Sequence, residues 1–373
     1  MPSTQFRQKV VVAARRVVVK VGTNAITDSR GRLDHAVVHD FATQIATLMK
    51  AGIEVTLVAS GAVGAGMSEL DLPSRPKTLP MLQATAAVGQ GQLMRAFHDA
   101  FEHHNVKIAQ VLLTRDAFEN RTRYLNVRNT LTALSEVGAL AIINENDAVA
   151  VDELRFGDND IIAALVANML SADLLVLLSV IDGVMDGQKV IDAIEVVDEK
   201  ALSVVNEGRS KLGSGGMGSK MKAAGTVTRA GAAAIIANAR EPGVLPRLLA
   251  GEKLGTVFLP AKRRLSSRRR WIGQASRPAG KILIDEGAAR ALREQGKSLL
   301  PSGIRAVMGT FGRGSTVAVI DQAGRQVARG LSNYSSQEVE RIKGVKTSQI
   351  QKLLGEKPYD EVVHRNNMAI SDF

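Results

Sequence analysis

Short, almost wholly aliphatic runs recur along the first two-thirds of the chain, and most are closed by glycine or small polar residues. They lie at residues 17–21, 54–59, 139–143, 174–180 and, more weakly, 233–237. A run with no polar alternation suits a strand buried on both faces, as in a mainly parallel sheet. Stretches with helical spacing fall between them, at 34–50, 81–103, 161–170 and 220–230. That alternation predicts an α/β fold, a three-layer sandwich around a mainly parallel sheet. Ligands of such folds gather beyond the carboxyl ends of the strands, so the residues that follow each run are the ones to examine.

The pattern changes after Pro260. Six of the nine residues 262–270 are basic, and Trp271, the sole tryptophan, opens a different kind of segment. Short runs at 281–285, 298–300, 304–308, 316–320 and 326–330, with a helical stretch at 286–294, predict a compact β-rich second domain. Residues 331–373 read as a polar helical tail. The division is therefore a leader of unassigned role at 1–14, an α/β domain at 15–260, a basic connection at 261–278 and the second domain at 279–373. A length of 373 residues agrees with two domains.

Composition narrows the chemistry. The chain has no cysteine, which excludes disulfide scaffolds, thiolate nucleophiles and Cys-ligated zinc. Aromatic residues are 3% of the total, too few for a base-stacking platform to be the main function. No apolar run approaches the roughly 20 residues of a membrane span, and a soluble, cytoplasmic protein is expected. A formal net charge of +11 favours anionic partners such as nucleotides, phosphorylated substrates or nucleic acid, without choosing among them.

Four post-strand sites carry chemistry. Lys20 stands inside an aliphatic run and is followed by Gly22, so it can reach a phosphate at the strand end; an edge lysine before an ordinary turn fits equally. Ser60-Gly61-Ala62-Val63-Gly64-Ala65-Gly66 can expose backbone N–H groups to an anion, or can be a tight strand-to-helix turn. Its G-x-x-G-x-G order is not the dinucleotide fingerprint, which disfavours a nicotinamide enzyme. Asn144-Glu145-Asn146-Asp147 and Gly157-Asp158-Asn159-Asp160 are two acid-amide clusters that can hold an ammonium group or a hydrated magnesium ion. Asp158 or Asn159 taken alone would serve as a helix cap. Finally, Gly213-Ser214-Gly215-Gly216-Met217-Gly218-Ser219-Lys220 opens a helix and suits a phosphate cradle, though it is not a Walker A sequence.

Other patterns carry less. Gly296-Lys297-Ser298 lacks the leading glycine of a P-loop, because residue 291 is alanine. His35 and His39 lack the glutamate of H-E-x-x-H, and His103-His104 reads as a solvated helix end. No nucleophile, histidine and acid combine into a triad.

Taken in order, VVVKVGTN at 17–24, ASGAVGAG at 59–66, INENDAVA at 143–150, FGDND at 156–160 and GSGGMGSK at 213–220 resemble the amino acid kinase family, as do AAVGQGQL at 86–93 and LLTRDAF at 112–118. SLLPSGI at 298–304 and GTFGRGSTVAV at 309–319 resemble a PUA domain, a small β-barrel. Within that family the pairing implies the branch that transfers the γ-phosphoryl group of ATP to the side-chain carboxylate of L-glutamate, the first step of proline biosynthesis. By motif position the resemblance implies Lys20 and Lys220 at the phosphoryl group, with Asp160 orienting them. It implies Ser60, Asp147, Asn159, Asn144 and Asp158 around glutamate. ATP would meet Lys20, Gly22, Gly61, Ser179, Val180, Ser214, Gly215, Gly216, Met217, Gly218, Ser219 and Lys220. Mg²⁺ would bridge the ATP phosphates, with no protein residue assigned as its ligand. The family also implies feedback inhibition by L-proline and a homo-oligomer, and the PUA domain implies RNA as a further partner. Ser179-Val180-Ile181-Asp182-Gly183-Val184-Met185 departs from the family pattern: Val180 replaces an acid and Met185 a tyrosine, both near the expected nucleoside pocket. A relative acting on another carboxylate, carbamate or phosphate acceptor, or a PUA-containing RNA-binding protein, are the alternatives.

Overall fold

A computed structural model of the chain describes residues 3–28, 31–149, 159–197, 216–261, 271–275 and 277–371. They fall into two compact units, Met1–Ala117 with Thr122–Arg264, and Phe118–Arg121 with Leu265–Phe373. The basic stretch 262–270 lies outside the described residues.

Among the described residues, the first unit holds ten strands: β1 (Arg16–Val21), β2 (Glu54–Ala59), β3 (Ile108–Leu113), β4 (Leu140–Glu145), β5 (Leu174–Ser179), β6 (Met185–Asp186), β7 (Lys189–Val190), β8 (Ala193–Ile194), β9 (Ala233–Asn238) and β10 (Thr256–Phe258). Eight form one sheet in the order β3-β4-β2-β1-β5-β9-β10-β8, and β6 with β7 makes a separate ribbon. Neighbours run parallel except at β9 and β10, which are antiparallel. The aliphatic runs predicted as buried strands are the central members of this sheet. β3, at one edge, has a less regular burial pattern and was not among the expected strands.

Side chains alternate across a strand, and here the two faces meet different layers. Val17, Val19 and Val21 join Leu57, Ile142 and Val176 in one core, together with Phe41 and Ile45 of helix His35–Lys50 and Phe97 and Phe101 of helix Leu79–Glu102. Val18 and Lys20 have the opposite parity. Helix Asn159–Leu170 packs across β1, β2, β4 and β5 and also against helix Met217–Arg229. The sequence starts helix His35–Lys50 with an acid: the Asp34 carboxylate accepts from the Val37 N–H at 3.2 Å.

Three residues of the expected leader 1–14, Arg7, Val11 and Ala14, are buried in this unit. Arg7 is 1% exposed, donates to the carbonyls of Leu254 and Gly255 at 2.9 Å, and pairs with Asp192 at 3.1 Å. Val11 and Ala14 belong to the core.

The second unit holds β11 (Gly280–Ile284), β12 (Ile304–Met308), β13 (Thr316–Ile320), β14 (Gln326–Ser332) and β15 (Val363–Ile370), in the sheet order β12-β11-β13-β14-β15. The expected helical tail 331–373 is only partly helical. Helices Ser336–Ile342 and Ile350–Leu354 are present, but Val363–Ile370 is an edge strand antiparallel to β14. Its centre, Arg365 and Asn366, is exposed while Val363, Met368 and Ala369 are buried, so an edge position replaces the alternation by which a strand is recognised. Trp271 is buried in this unit and donates its indole N–H to the Phe118 carbonyl at 2.9 Å, which explains why Phe118–Arg121 leaves the α/β unit. Gly296, part of the apparent P-loop ending, is the left-handed cap (φ 59°) that terminates helix Glu286–Gln295.

Candidate active site

β4, β2, β1 and β5 are consecutive and parallel, so their carboxyl ends share one edge of the sheet. Asn144, Ser60, Lys20 and Ser179 lie at those ends. The sequence motifs that follow each strand are thereby brought to a common place.

Lys20 leaves β1 on the face covered by helix Asn159–Leu170, whose second residue is Asp160. Its ammonium sits 2.7 Å from Asp160 Oδ1, and Lys220, in the first turn of helix Met217–Arg229, donates to Asp160 Oδ2 at 3.1 Å. The lysines are 4% and 6% exposed and Asp160 is fully buried. Burial pushes the Asp160 carboxyl up, but the two ammonium groups outweigh it by charge and hydrogen bonding and hold the carboxyl below its ordinary value. Asp160 thus holds two ammonium groups, each carrying a positive charge. Such a charge removed from water is costly unless an anion completes it.

Beside this bridge stands a cluster of amides. Asn159, the first residue of the same helix, donates from Nδ2 to Ser60 Oγ at 2.8 Å, to Asn144 Oδ1 at 3.1 Å and to the Ala59 carbonyl at 3.3 Å. Asn144 in turn donates to Gln90 Oε1 at 2.8 Å. Asp147 lies in the turn after β4, half-buried; burial pushes its carboxyl up to about 6, and the charge of Arg75 pulls it the other way.

Gly61 requires glycine, because its φ is +116° and an added Cβ would lie 3.2 Å from Ile26 Cδ1. Gly22 has an ordinary φ of −78°, and a Cβ there would sit 3.5 Å from the Lys20 ammonium, an ordinary contact, so neither backbone nor space demands glycine at this position. Gly66 serves a different purpose from the anion turn read in the sequence. A Cβ on it would fall 1.8 Å from the Thr85 carbonyl oxygen, and one on Gly89 would fall 1.9 Å from that of Ala62. Those glycines let helices Ala62–Glu69 and Leu79–Glu102 touch backbone to backbone.

Ser179 ends β5, and Val180 beyond it is 47% exposed, with Ile181 and Met185 also exposed. The loop is held from behind: Asp182 accepts from Asn238 Nδ2 at 2.7 Å, and Val184 is buried with its N–H on Thr256 Oγ1 at 2.8 Å. Gly216 caps helix Met217–Arg229 in an extended conformation, and Met217, Gly218 and Ser219 form its first turn, half-buried. Asp158, Ser214 and Gly215 lie outside the described residues. Among the described residues, no group of three or more histidine, aspartate or glutamate side chains is placed to hold a metal ion, and no helix is long and apolar enough to cross a membrane.

Gln90 is a site residue that no motif of the sequence singles out. Its segment, Val88-Gly89-Gln90-Gly91, enters only through the family resemblance; two glycines flanking a glutamine inside a helix are the local signal.

Residues 15–238 match the amino acid kinase family. The chain belongs to the amino acid kinase family. Every described site residue of this kinase, from Lys20 to Lys220, falls inside the matched region, and residues 280–354 match the PUA domain, which leaves β15 beyond the match. Similar proteins include the glutamate 5-kinases of Caldanaerobacter subterraneus subsp. tengcongensis, 47% identical over 95% of this chain and 97% of that one, and of Herpetosiphon aurantiacus, 48% identical over 95% and 98%. The glutamate 5-kinase of Syntrophotalea carbinolica is 45% identical over 98% of this kinase and its own full length. Carbamate kinase from Giardia lamblia bound to AMP-PNP aligns with a TM-score of 0.48 at 21% identity, over 67% of this chain and 100% of that one.

Proposed function

We propose that this chain transfers the γ-phosphoryl group of ATP to the side-chain carboxylate of L-glutamate, giving γ-glutamyl phosphate and ADP. The observation that carries the reading is the buried Lys20–Asp160–Lys220 bridge, which fixes two ammonium groups at the carboxyl edge of the sheet. Near-full-length similarity to glutamate 5-kinases supports the choice of acceptor.

A glutamate side chain ionises with a reference pKa of about 4.3, so at neutral pH the nucleophile is already formed and no general base is needed. That suits a cluster with no histidine. A carboxylate oxygen attacks the γ-phosphorus as the bond to the bridging oxygen of ADP breaks. The difficulty is bringing two anions together in line, which is a task of positioning and positive charge. Lys20 and Lys220 donate to the transferring group and Asp160 fixes both ammonium positions. The backbone at Gly22 and Gly61 offers further donors. Ser60, Asn144, Asn159 and Asp147 hold glutamate, with Asp147 suited to its ammonium group. Residues 216–220, at a helix N-terminus, meet the ATP phosphates. Ser179 and Val180 border the nucleoside. Both oxygens of Asp160 are engaged by lysines, so Mg²⁺ fits as part of the MgATP substrate, held by phosphates and water rather than by this carboxylate.

A hydroxylamine trap tests the reading. With MgATP, hydroxamate is expected from L-glutamate and not from D-glutamate, L-aspartate or N-acetylglutamate. Product from another of these acids alone would reassign the substrate, and none from any, by a folded protein, would remove the activity.

A further inference from the structure

The amide cluster beyond β4 has one self-consistent set of orientations. The Glu145 backbone N–H can only donate, and it lies 2.8 Å from Asn144 Oδ1, which fixes that end of the amide as oxygen. Asn144 Nδ2 therefore points at Gln90 and must be met there by Oε1, at 2.8 Å. Asn159 must likewise present Nδ2 to Asn144 Oδ1 and Ser60 Oγ. The relay leaves two atoms over. Gln90 Nε2, a donor, and Asn159 Oδ1, an acceptor, are both buried and have no hydrogen-bond partner. Folded proteins rarely leave such groups unmade, and here both belong to one chain of bonds in the substrate end of the site.

We infer that Gln90 is a substrate-binding residue, whose Nε2 donates to the α-carboxylate of the glutamate acceptor. The inference rests on the reaction proposed above. The side-chain carboxylate must lie at the Lys20–Lys220 pair to be phosphorylated, so the amides address the other end of the substrate. That end carries one acceptor, the α-carboxylate, and one donor, the α-ammonium. The two orphaned atoms match it in kind: Gln90 Nε2 for the carboxylate, and Asn159 Oδ1, aided by Asp147, for the ammonium. Gly89 makes this reach possible. The backbone contact between Gly89 and helix Ala62–Glu69 draws helix Leu79–Glu102 inward, and Gln90 is the next residue.

Gln90→Glu tests the assignment with little change of shape. One oxygen of the new carboxylate still accepts from Asn144, while the other replaces the donor by an acceptor. Kinetics are read with L-glutamate and with L-isoglutamine, which keeps the side-chain carboxylate and carries an α-carboxamide. The KM for L-glutamate should rise about tenfold or more while the KM for ATP stays within about twofold. The ratio of kcat/KM for isoglutamine to that for glutamate should rise about tenfold, because a carboxamide N–H can donate to Glu where a carboxylate is repelled. A purely structural role would lower both acceptors together, so an unmoved ratio overturns the inference whatever the overall loss. Should Gln90→Glu not fold, Gln90→Met removes the donor with an unbranched side chain of similar length. The preference for glutamate over isoglutamine should then shrink, and an unchanged preference overturns the inference. Wild-type protein inert toward L-glutamate would instead overturn the reaction itself, which the same assay reports separately.

Discussion

Replacing Asp160 by asparagine removes the charge that holds the site together and leaves its shape intact. In the native chain Lys20 and Lys220 lie 2.7 and 3.1 Å from the two oxygens of a fully buried carboxylate. In Asp160→Asn the two ammonium groups, each nearly removed from water, face one another across a neutral amide that can accept from only one of them. Removing one partner of a buried ion pair costs about 3–5 kcal/mol. For a unit of this size each kcal/mol lowers Tm by roughly 2–4 °C, so thermal unfolding should move down by about 6–20 °C. Turnover should fall by about 10²–10³-fold, because the donors lose their fixed positions. Inorganic phosphate should recover more of the lost Tm in the variant than it adds to the wild type, since an anion can replace the missing charge. The pH dependence follows from the lowered pKa of Asp160 in the folded chain. A group lowered on folding contributes stability above its unfolded value, and that contribution is lost as pH falls through the folded value. The two proteins should therefore converge in acid and diverge toward neutrality. A variant within about 2 °C of wild type at neutral pH, with turnover retained, would refute the bridge as the organiser of the site.

Two further outcomes follow from named contacts. Asp147, with its carboxyl pushed up to about 6, becomes neutral below that pH and loses its attraction for an ammonium group, so the KM for L-glutamate should rise about tenfold per pH unit on acidification below that value. In Asp147→Asn the KM should be high and flat over the same range, and parallel profiles for the two proteins would refute the role. Gly66→Ala places a methyl 1.8 Å from the Thr85 carbonyl oxygen, and the overpacking should cost about 1–3 kcal/mol or more, read as a fall in Tm; an unchanged Tm would mean the helices separate freely.

Lys20, Ser60 and Asn144 were legible in the sequence because each ends an aliphatic run, and a parallel sheet brings such ends together without knowledge of any contact. Asn159 and Asp160 were legible as a second polar pair opening an apolar helix. The residues that escaped did so for definite reasons. Glycine serves an anion turn and a close helix contact equally well, so the ASGAVGAG motif alone could not divide Gly61, which needs its positive φ, from Gly66, which needs its missing side chain. Gln90 lies mid-helix, where an isolated glutamine looks solvated. Its partner Asn144 is 54 residues away, and no local pattern encodes that pairing. β15 does not show in the sequence because an edge strand with a polar centre has no alternation.

The lysine inside the first strand shows why core and site cannot be specified separately. Val17, Val19 and Val21 fill the layer of Phe41, Phe97 and Phe101, while Lys20, on the other parity, meets Asp160. A slip of β1 by one residue would exchange the two sets. It would drive an ammonium group among aromatic rings and leave Asp160 buried with only one of its two lysines. Hydrophobic packing on one face and ion pairing on the other therefore select the same register. The register also sets which residue ends at the ligand edge. A lysine in the apolar run 17–21, which alone would weaken that strand, becomes a second and independent constraint on how the sheet is assembled.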